Sequence, residues 1–486
     1  MKSNIGKVAS NCNPGIILIG FLGAISLFAL SSDIRYLLAP VLATIFITLQ
    51  FVITLIHRRN ELPLADPAIM VVLATVCYTV VPPLQFLLSG MQHTIHSASQ
   101  LYALQPTPDE FSSLTWWYVA YLLSFVIGYL VFDQKGSTHA VIPRTLDHTT
   151  IKSLIIIFIL LSGIMLAIEK LYGINLYGVY DSEFLYDSYD RFLQMPLFFR
   201  QFYGIISHCG ILFIVKLGLL LTIFLNWEKR AYRYVFYAWM LIMIINNILW
   251  MGARTELVLI LLAAGIMYHQ FVKHFKLRTI LLGGFSIFAV FVIMGMMRGN
   301  ASLGANLENF KDTLNSQENI SSSSNEFEAL FGGNYDLLKM RQNELLGEVP
   351  LQFLLYDIIM IIPQQILPFE KLDVQQWYMN KSCNPGFFMF NPISQSIIGF
   401  GWGELVLRGL FLGFIFARLR AWYICRESSF WATYFYFYLV IISYYMIRGT
   451  AIYTLLACIL FRFMPLYFLV WVLNYCMKSV RAPVPD

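Results

Sequence analysis

The chain has 486 residues, of which 58% are apolar and only 13% charged, against about 45–50% and about 25% in soluble domains. That balance excludes a soluble globular fold, and the formal charge of +5 carries no sign of a nucleic-acid partner. Of 7 cysteines only Cys383 falls in a long outer connection, which excludes a disulfide framework.

Apolar runs long enough to cross hydrocarbon recur along the chain, without the alternation of a transmembrane barrel. They predict an all-α polytopic membrane protein with about twelve transmembrane helices, at 15–31, 35–56, 67–89, 114–132, 153–169, 203–226, 234–251, 256–271, 279–297, 393–417, 430–447 and 451–475. The first run resembles a signal-peptide core, with Ala29-Leu30-Ser31 as a weak cleavage site, and is read as an uncleaved anchor. With the N-terminus in the cytoplasm, more than half of the 33 Lys and Arg fall in inner connections, among them Arg58, Arg59, Lys229, Lys273, Arg418 and Arg420. Most of the 28 Asp and Glu fall outside. This is the positive-inside pattern, and it leaves both termini cytoplasmic. Residues 1–297 then carry nine helices, 298–392 form a large outer loop, and 393–486 carry three helices and a tail. An outer loop of about 95 residues more often carries function than mere connection.

Within that loop, 306–314 and 326–346 read as short helices separated by a Ser-rich linker at 315–325. The apolar stretch 351–367 is broken by Asp357 and Pro363. As a thirteenth span it would put Arg418, Arg420 and Arg426 outside, so it reads as a re-entrant or interfacial segment.

Chemistry concentrates at the outer helix ends. Arg254 interrupts two apolar runs, Arg298 closes the ninth span, Arg448 lies between the last two, and Arg408 follows Glu404 by four residues. Arginine offers a permanently charged planar fork suited to phosphate oxygens. Several on one membrane face suggest an anionic lipid-linked ligand; the plainer reading is that each snorkels or pairs locally, as Glu404 and Arg408 would on one helical face. The carboxylates Glu256, Glu344, Glu348, Asp357, Glu370, Asp373 and Glu404 include candidates to activate a sugar hydroxyl, although most loop carboxylates are simply solvated. Tyr180 and Tyr186, in the acidic and aromatic stretch 177–191, and the pair Trp377-Tyr378 offer ring faces for sugars. Interfacial aromatic belts explain the same residues without a ligand. No histidine lies in the long loop and no metal-ligand spacing or nucleotide loop occurs, so neither a metal nor a cofactor is expected. Lys216 and Arg462 fall mid-span, as transport residues, structural glue or a site for an embedded phosphate.

Three short motifs carry a resemblance. Gly252-Ala253-Arg254-Thr255-Glu256, the segment Ile361-Ile362-Pro363 to Leu367-Pro368-Phe369-Glu370-Lys371, and Phe400-Gly401-Trp402-Gly403-Glu404 resemble bacterial O-antigen polymerases, the Wzy-type oligosaccharide repeat-unit polymerases. The resemblance covers roughly 230–475. It implies a GT-C-like glycosyltransferase of the bacterial inner membrane with its active site facing the periplasm. A glycan chain would pass from undecaprenyl pyrophosphate onto a lipid-linked repeat unit by metal-independent inverting transfer. Both lipid-linked oligosaccharides, membrane lipids and a chain-length regulator protein are the implied partners. Arg254 matches the family's basic position, with Arg298, Arg408 and Arg448 as companions on the pyrophosphate. Glu404 is the first candidate base, with Glu344 and Asp357 behind it. The related O-antigen ligases rely on a periplasmic histidine that the long loop lacks. A flippase or exporter of lipid-linked oligosaccharide is the other reading, with Lys216 and Arg462 on its through-path.

Overall fold

The structure, a computed structural model, describes residues 31–59, 63–88, 106–133, 148–174, 188, 190–206, 210–245, 254–276, 278–280, 282–284, 286, 326–347, 349, 351–353, 355–382 and 390–479, without the side chains of a few of them. Its helices are α1 (Ser32–Arg59), α2 (Pro67–Leu88), α3 (Pro108–Phe132), α4 (His148–Tyr172), α5 (Leu197–Ile206), α6 (Ile211–Leu225), α7 (Arg230–Ile245) and α8 (Arg254–Phe271). The described part of the long loop adds α9 (Glu326–Gln342), α10 (Tyr356–Ile359) and α11 (Val374–Ser382). Then follow α12 (Pro392–Ile398), α13 (Trp402–Ile424), α14 (Phe430–Ile442), α15 (Tyr445–Arg448), α16 (Ala451–Ala457) and α17 (Met464–Ser479), with a π-helical stretch Cys458–Phe463 joining the last two. No strand occurs among the described residues.

Six of these stretches are long and apolar enough to cross a membrane: Ser32–Arg59, Pro67–Leu88, Pro108–Phe132, Thr149–Tyr172, Leu197–Leu225 and Ala451–Met477. The chain is therefore a multi-pass membrane protein. Two shorter apolar helices, Glu256–Phe271 and Phe430–Ile442, lie at predicted spans. The predicted spans at 15–31 and 279–297, the loop helix at 306–314 and the Ser-rich linker fall largely or wholly outside the described residues.

The chain divides into two compact units. The first comprises Met1–Thr138, Glu318–Cys425 and Ile442–Leu456; the second comprises His139–Gln317, Arg426–Ile441 and Ala457–Asp486. This division cuts across the one read from sequence, because α9 to α12 pack with the first spans and do not form a body of their own.

In the first unit α3 and α13 make the closest crossing. A side chain at Gly413 would collide with the carbonyl oxygen of Phe125 at 2.2 Å, and one at Gly128 with that of Leu410 at 2.3 Å. Gly409 meets Ser124 and Tyr121 in the same way. Small residues spaced four apart let helix backbones touch, the packing device available where lipid removes the hydrophobic drive. The start of α3 is set by its sequence: Glu110 N donates to Thr107 Oγ1 at 3.3 Å, and Thr107 N donates to Glu110 Oε2 at 3.1 Å, with Pro108 opening the first turn.

Two expectations need correction. The tenth span does not run 393–417. It breaks into α12 and α13 around Gly399-Phe400-Gly401, where Gly401 adopts a φ of 76° that suits only glycine. Arg58, Arg59 and Arg420 are not loop anchors either. Arg420 lies inside α13 and is 3% exposed. It donates to Asp133 at 2.7 Å, while Arg59 pairs with Asp66 at 2.7 Å and Tyr129 donates to the same Asp66 at 2.5 Å. Arg58 reaches Asp133 at 3.6 Å, so the three cations at these helix ends share two buried carboxylates within the fold.

Candidate functional site

The first unit gathers three of the sequence candidates into one ionic cluster. Arg408, in the second turn of α13, donates through Nε to Glu404 Oε1 at 2.7 Å and through NH1 to Asp357 Oδ2 at 2.9 Å. Asp357 comes from α10 in the long loop and is only 5% exposed. It also accepts from Gln395 Nε2 and from the backbone N–H of Tyr453, each at 3.0 Å. Glu404 Oε2 accepts from Phe400 N at 2.8 Å. A side chain at Gly399 would sit 2.1 Å from that same carboxylate oxygen, so glycine there is what lets Glu404 fold back over the break.

Asp357 is thus held by three donors on both of its oxygens, whereas Glu404 answers to the arginine and one backbone N–H. The trio carries one positive and two negative charges. Arg408 turns its Nε edge to one carboxylate and NH1 to the other, so in this arrangement it acts first as a brace between loop and span. Two buried acceptors border the cluster without a hydrogen bond among the described residues: Gln395 Oε1, and the Tyr121 hydroxyl, which feels the charges of Arg408 and Asp357. Buried polar atoms are normally paired, so these are places for a ligand hydroxyl. Burial, followed by Tyr453, Asp373 and Asp357, pushes Tyr356 up to about 12.

The cluster sits deep along the helices. Gly409 packs against Tyr121, the fourteenth residue of α3, about 20 Å from the start of that helix at 1.5 Å per residue. The loop segment that supplies Asp357 is a series of short pieces: a 3-10 turn Leu351–Phe353, then α10, then a second 3-10 turn Gln364–Ile366 after Pro363. It is not a spanning helix.

A second set of contacts fastens α9 to α3 and α12. Phe331 stacks on Phe111 at 4.5 Å, and Phe111 on Phe86 at 4.7 Å. Asn334 donates to the Tyr118 hydroxyl at 2.6 Å and accepts from Ser394 at 2.6 Å. Tyr335 donates to Glu110 at 2.9 Å, and Lys339 forms an ion pair with the same carboxylate. Arg341, four turns into α9, turns its guanidinium to the carbonyls of Ser396, Ile397 and Gly399 at the C-terminal end of α12.

The remaining candidates are dispersed. Arg448 ends α15 in the same unit, its guanidinium 5.8 Å over the Tyr445 ring. Glu344 is exposed in the turn after α9, with a φ of 57°. Trp377 packs edge-on to Phe353 at 4.7 Å. Tyr378 is fully buried, its hydroxyl donating to Asp336 at 2.8 Å, which leaves no ring face for a sugar. Arg254 begins α8 in the second unit, but its side chain lies outside the described set, as do Arg298, Tyr180 and Tyr186 entirely. Glu256 is now accounted for: buried, it forms an ion pair with Lys216 of α6. Arg462 lies in the π-helical stretch, 3.8 Å from Cys458 Sγ. Among the described residues no group of histidine, cysteine and carboxylate side chains is arranged to hold a metal.

Against protein-family models, curated proteins and solved structures, the chain has no match. The resemblance to repeat-unit polymerases therefore rests on its short motifs. Sequence reasoning passed over Gln395, Arg341, Tyr121 and the stacked pair Trp117–Trp402, whose rings lie 4.3 Å apart with Trp402 46% exposed two residues before Glu404. The capping box at Asn391-Pro392-Ile393-Ser394, which starts α12, and the two glycines of Gly399-Phe400-Gly401 were the local signals that could have exposed the break before α13.

Proposed function

We propose that this chain is a polymerase of lipid-linked oligosaccharide repeat units, acting at the face opposite its basic connections. The observation that carries the reading is the convergence of Arg408, Glu404 and Asp357, one brought by the long loop and two by a helix end. Glu404, the less encumbered carboxylate, accepts the proton of the attacking acceptor hydroxyl. The acceptor oxygen bonds to the anomeric carbon of the donor as the bond from that carbon to the phosphate oxygen breaks, and undecaprenyl pyrophosphate leaves with the electron pair. Arg448, in the same unit as the cluster, is assigned to the developing phosphate charge, where preorganised cations have their largest effect. Gln395 Oε1 and the Tyr121 hydroxyl receive acceptor hydroxyls, and the exposed face of Trp402 meets a sugar ring. The Lys216–Glu256 pairing weighs against the flippase reading, which needs that charge on an open path.

The test is the purified chain mixed in detergent with lipid-linked repeat units. A ladder of polymer is expected without any membrane barrier, and Glu404→Gln should slow it by at least ~10²-fold, the usual worth of a general base. Absence of a ladder from a folded preparation that moves lipid-linked glycan across vesicles would sink the reading in favour of transport.

A further inference from the structure

The second unit holds a cavity of about 300 Å³ between the turn after α6 and the end of α8. Phe224, Trp227 and Phe271 give it an aromatic wall, and Asn226, Glu228 and Lys229 line its mouth. The wall belongs to a ring cluster in which Phe224 stacks on Trp227 at 5.2 Å and Trp227 meets Tyr268 edge-on at 5.6 Å. His269 fixes the following turn, its Nδ1 accepting from Phe275 N at 2.8 Å.

The two segments that meet at this cavity are among the most basic in the chain. Lys229, Arg230 and Arg233 follow α6, and Lys273, Lys276 and Arg278 follow α8, against the single carboxylate of Glu228. All but Arg233 are exposed. Such a density of cations at helix ends assigns this end to the cytoplasmic leaflet. An aromatic-walled recess lined by Lys229, with Arg230 and Lys273 adjoining its lining in sequence, matches an anionic phosphodiester headgroup, with its phosphate toward the cations and its glycerol and upper acyl carbons against the rings.

We propose that this cavity is a site for one anionic phospholipid of the cytoplasmic leaflet, distinct from any glycan substrate at the opposite face. It holds whether or not the chain polymerises glycan.

The test uses the full chain, delipidated in detergent and titrated with phosphatidylglycerol or phosphatidylcholine, with bound lipid counted by native mass spectrometry. Saturable binding of one phosphatidylglycerol is expected, at least tenfold tighter than phosphatidylcholine. Neutralising Lys229 and Lys273 to Gln should weaken it about fivefold per charge, the factor for about 1 kcal/mol per basic residue at an anionic surface. Val272→Trp, which fills the recess and keeps every charge, should weaken it as well. Lys152→Gln, on α4, should leave it unchanged. Equal affinity for the two lipids, equal weakening by Lys152→Gln, or full competition by soluble glycerol phosphate would each overturn the proposal.

Discussion

Arg408 shows how a single charge is tolerated inside an apolar chain. Its guanidinium is matched by two carboxylates, one four residues back on its own helix and one delivered by a distant loop. Removing the cation leaves both anions buried and uncompensated, and broken buried pairs cost about 3–5 kcal/mol. Arg408→Ala should therefore lower detergent unfolding stability by that amount, whereas Glu404→Gln, which keeps the shape, loses one accepted hydrogen bond and leaves Arg408 paired with Asp357, should cost less. Unchanged stability in Arg408→Ala would remove the arginine from its bracing role. Gly401 makes a second residue-scale case: with φ at 76° it needs glycine, and Arg341 lies 3.2 Å from where a side chain would start. With ψ at −140° the backbone lies in a region open essentially to glycine alone, so Gly401→Ala should cost about 1–3 kcal/mol, read as a shift in unfolding midpoint. The pairing of Glu404 with Arg408 was visible in sequence because it is local. Asp357 was visible only as a break in an apolar stretch, since nothing near it in the chain announces a partner 51 residues on.

Among the elements, α3 and α13 make the decisive contact. Their glycines remove the side chains that would hold the backbones apart, so Gly413→Val drives a branched side chain into the carbonyl of Phe125. Overpacking of this kind costs up to about 3 kcal/mol, and the effect should appear as a lowered unfolding midpoint without loss of helix content by circular dichroism. A fully stable Gly413→Val protein would show that the crossing is looser than described. Where helices exist was legible from apolar runs; where α13 begins was not. The expected span 393–417 ran through the break at Gly399-Phe400-Gly401 and stopped before Arg418 and Arg420, and burial of Arg420 against Asp133 is what lets the helix continue to Ile424. The loop helix α9 was read correctly as a helix, yet its burial was not, because its sequence mixes Asn334, Asp336 and Lys339 with Leu330 and Phe331. Those polar residues meet partners on α3, α11 and α12, a match that no periodicity encodes.

At the scale of the molecule, the basic residues predict a sided protein. Single cysteines in place of Lys229 and Lys273 should be shielded from an impermeant thiol reagent in intact cells, while those in place of Glu344 and Glu370 should react, measured on a background freed of native cysteines. Labelling of both groups alike would undo the sidedness on which the polymerase reading depends. Membrane class and helical architecture were legible because hydrophobicity is additive along the chain. The site was not, because it is assembled from segments 51 to 96 residues apart.

The fastening of α9 onto α3 bears on how such a protein comes into being. Tyr118 waits 216 residues for Asn334, and Glu110 waits 229 for Lys339. During synthesis the early spans must enter the membrane with those polar groups still facing water or a chaperone. The ionic cluster cannot close until Tyr453 has been translated, so a ribosome that stops earlier yields a bundle without it. Closure of the cluster would then report that synthesis has passed Tyr453.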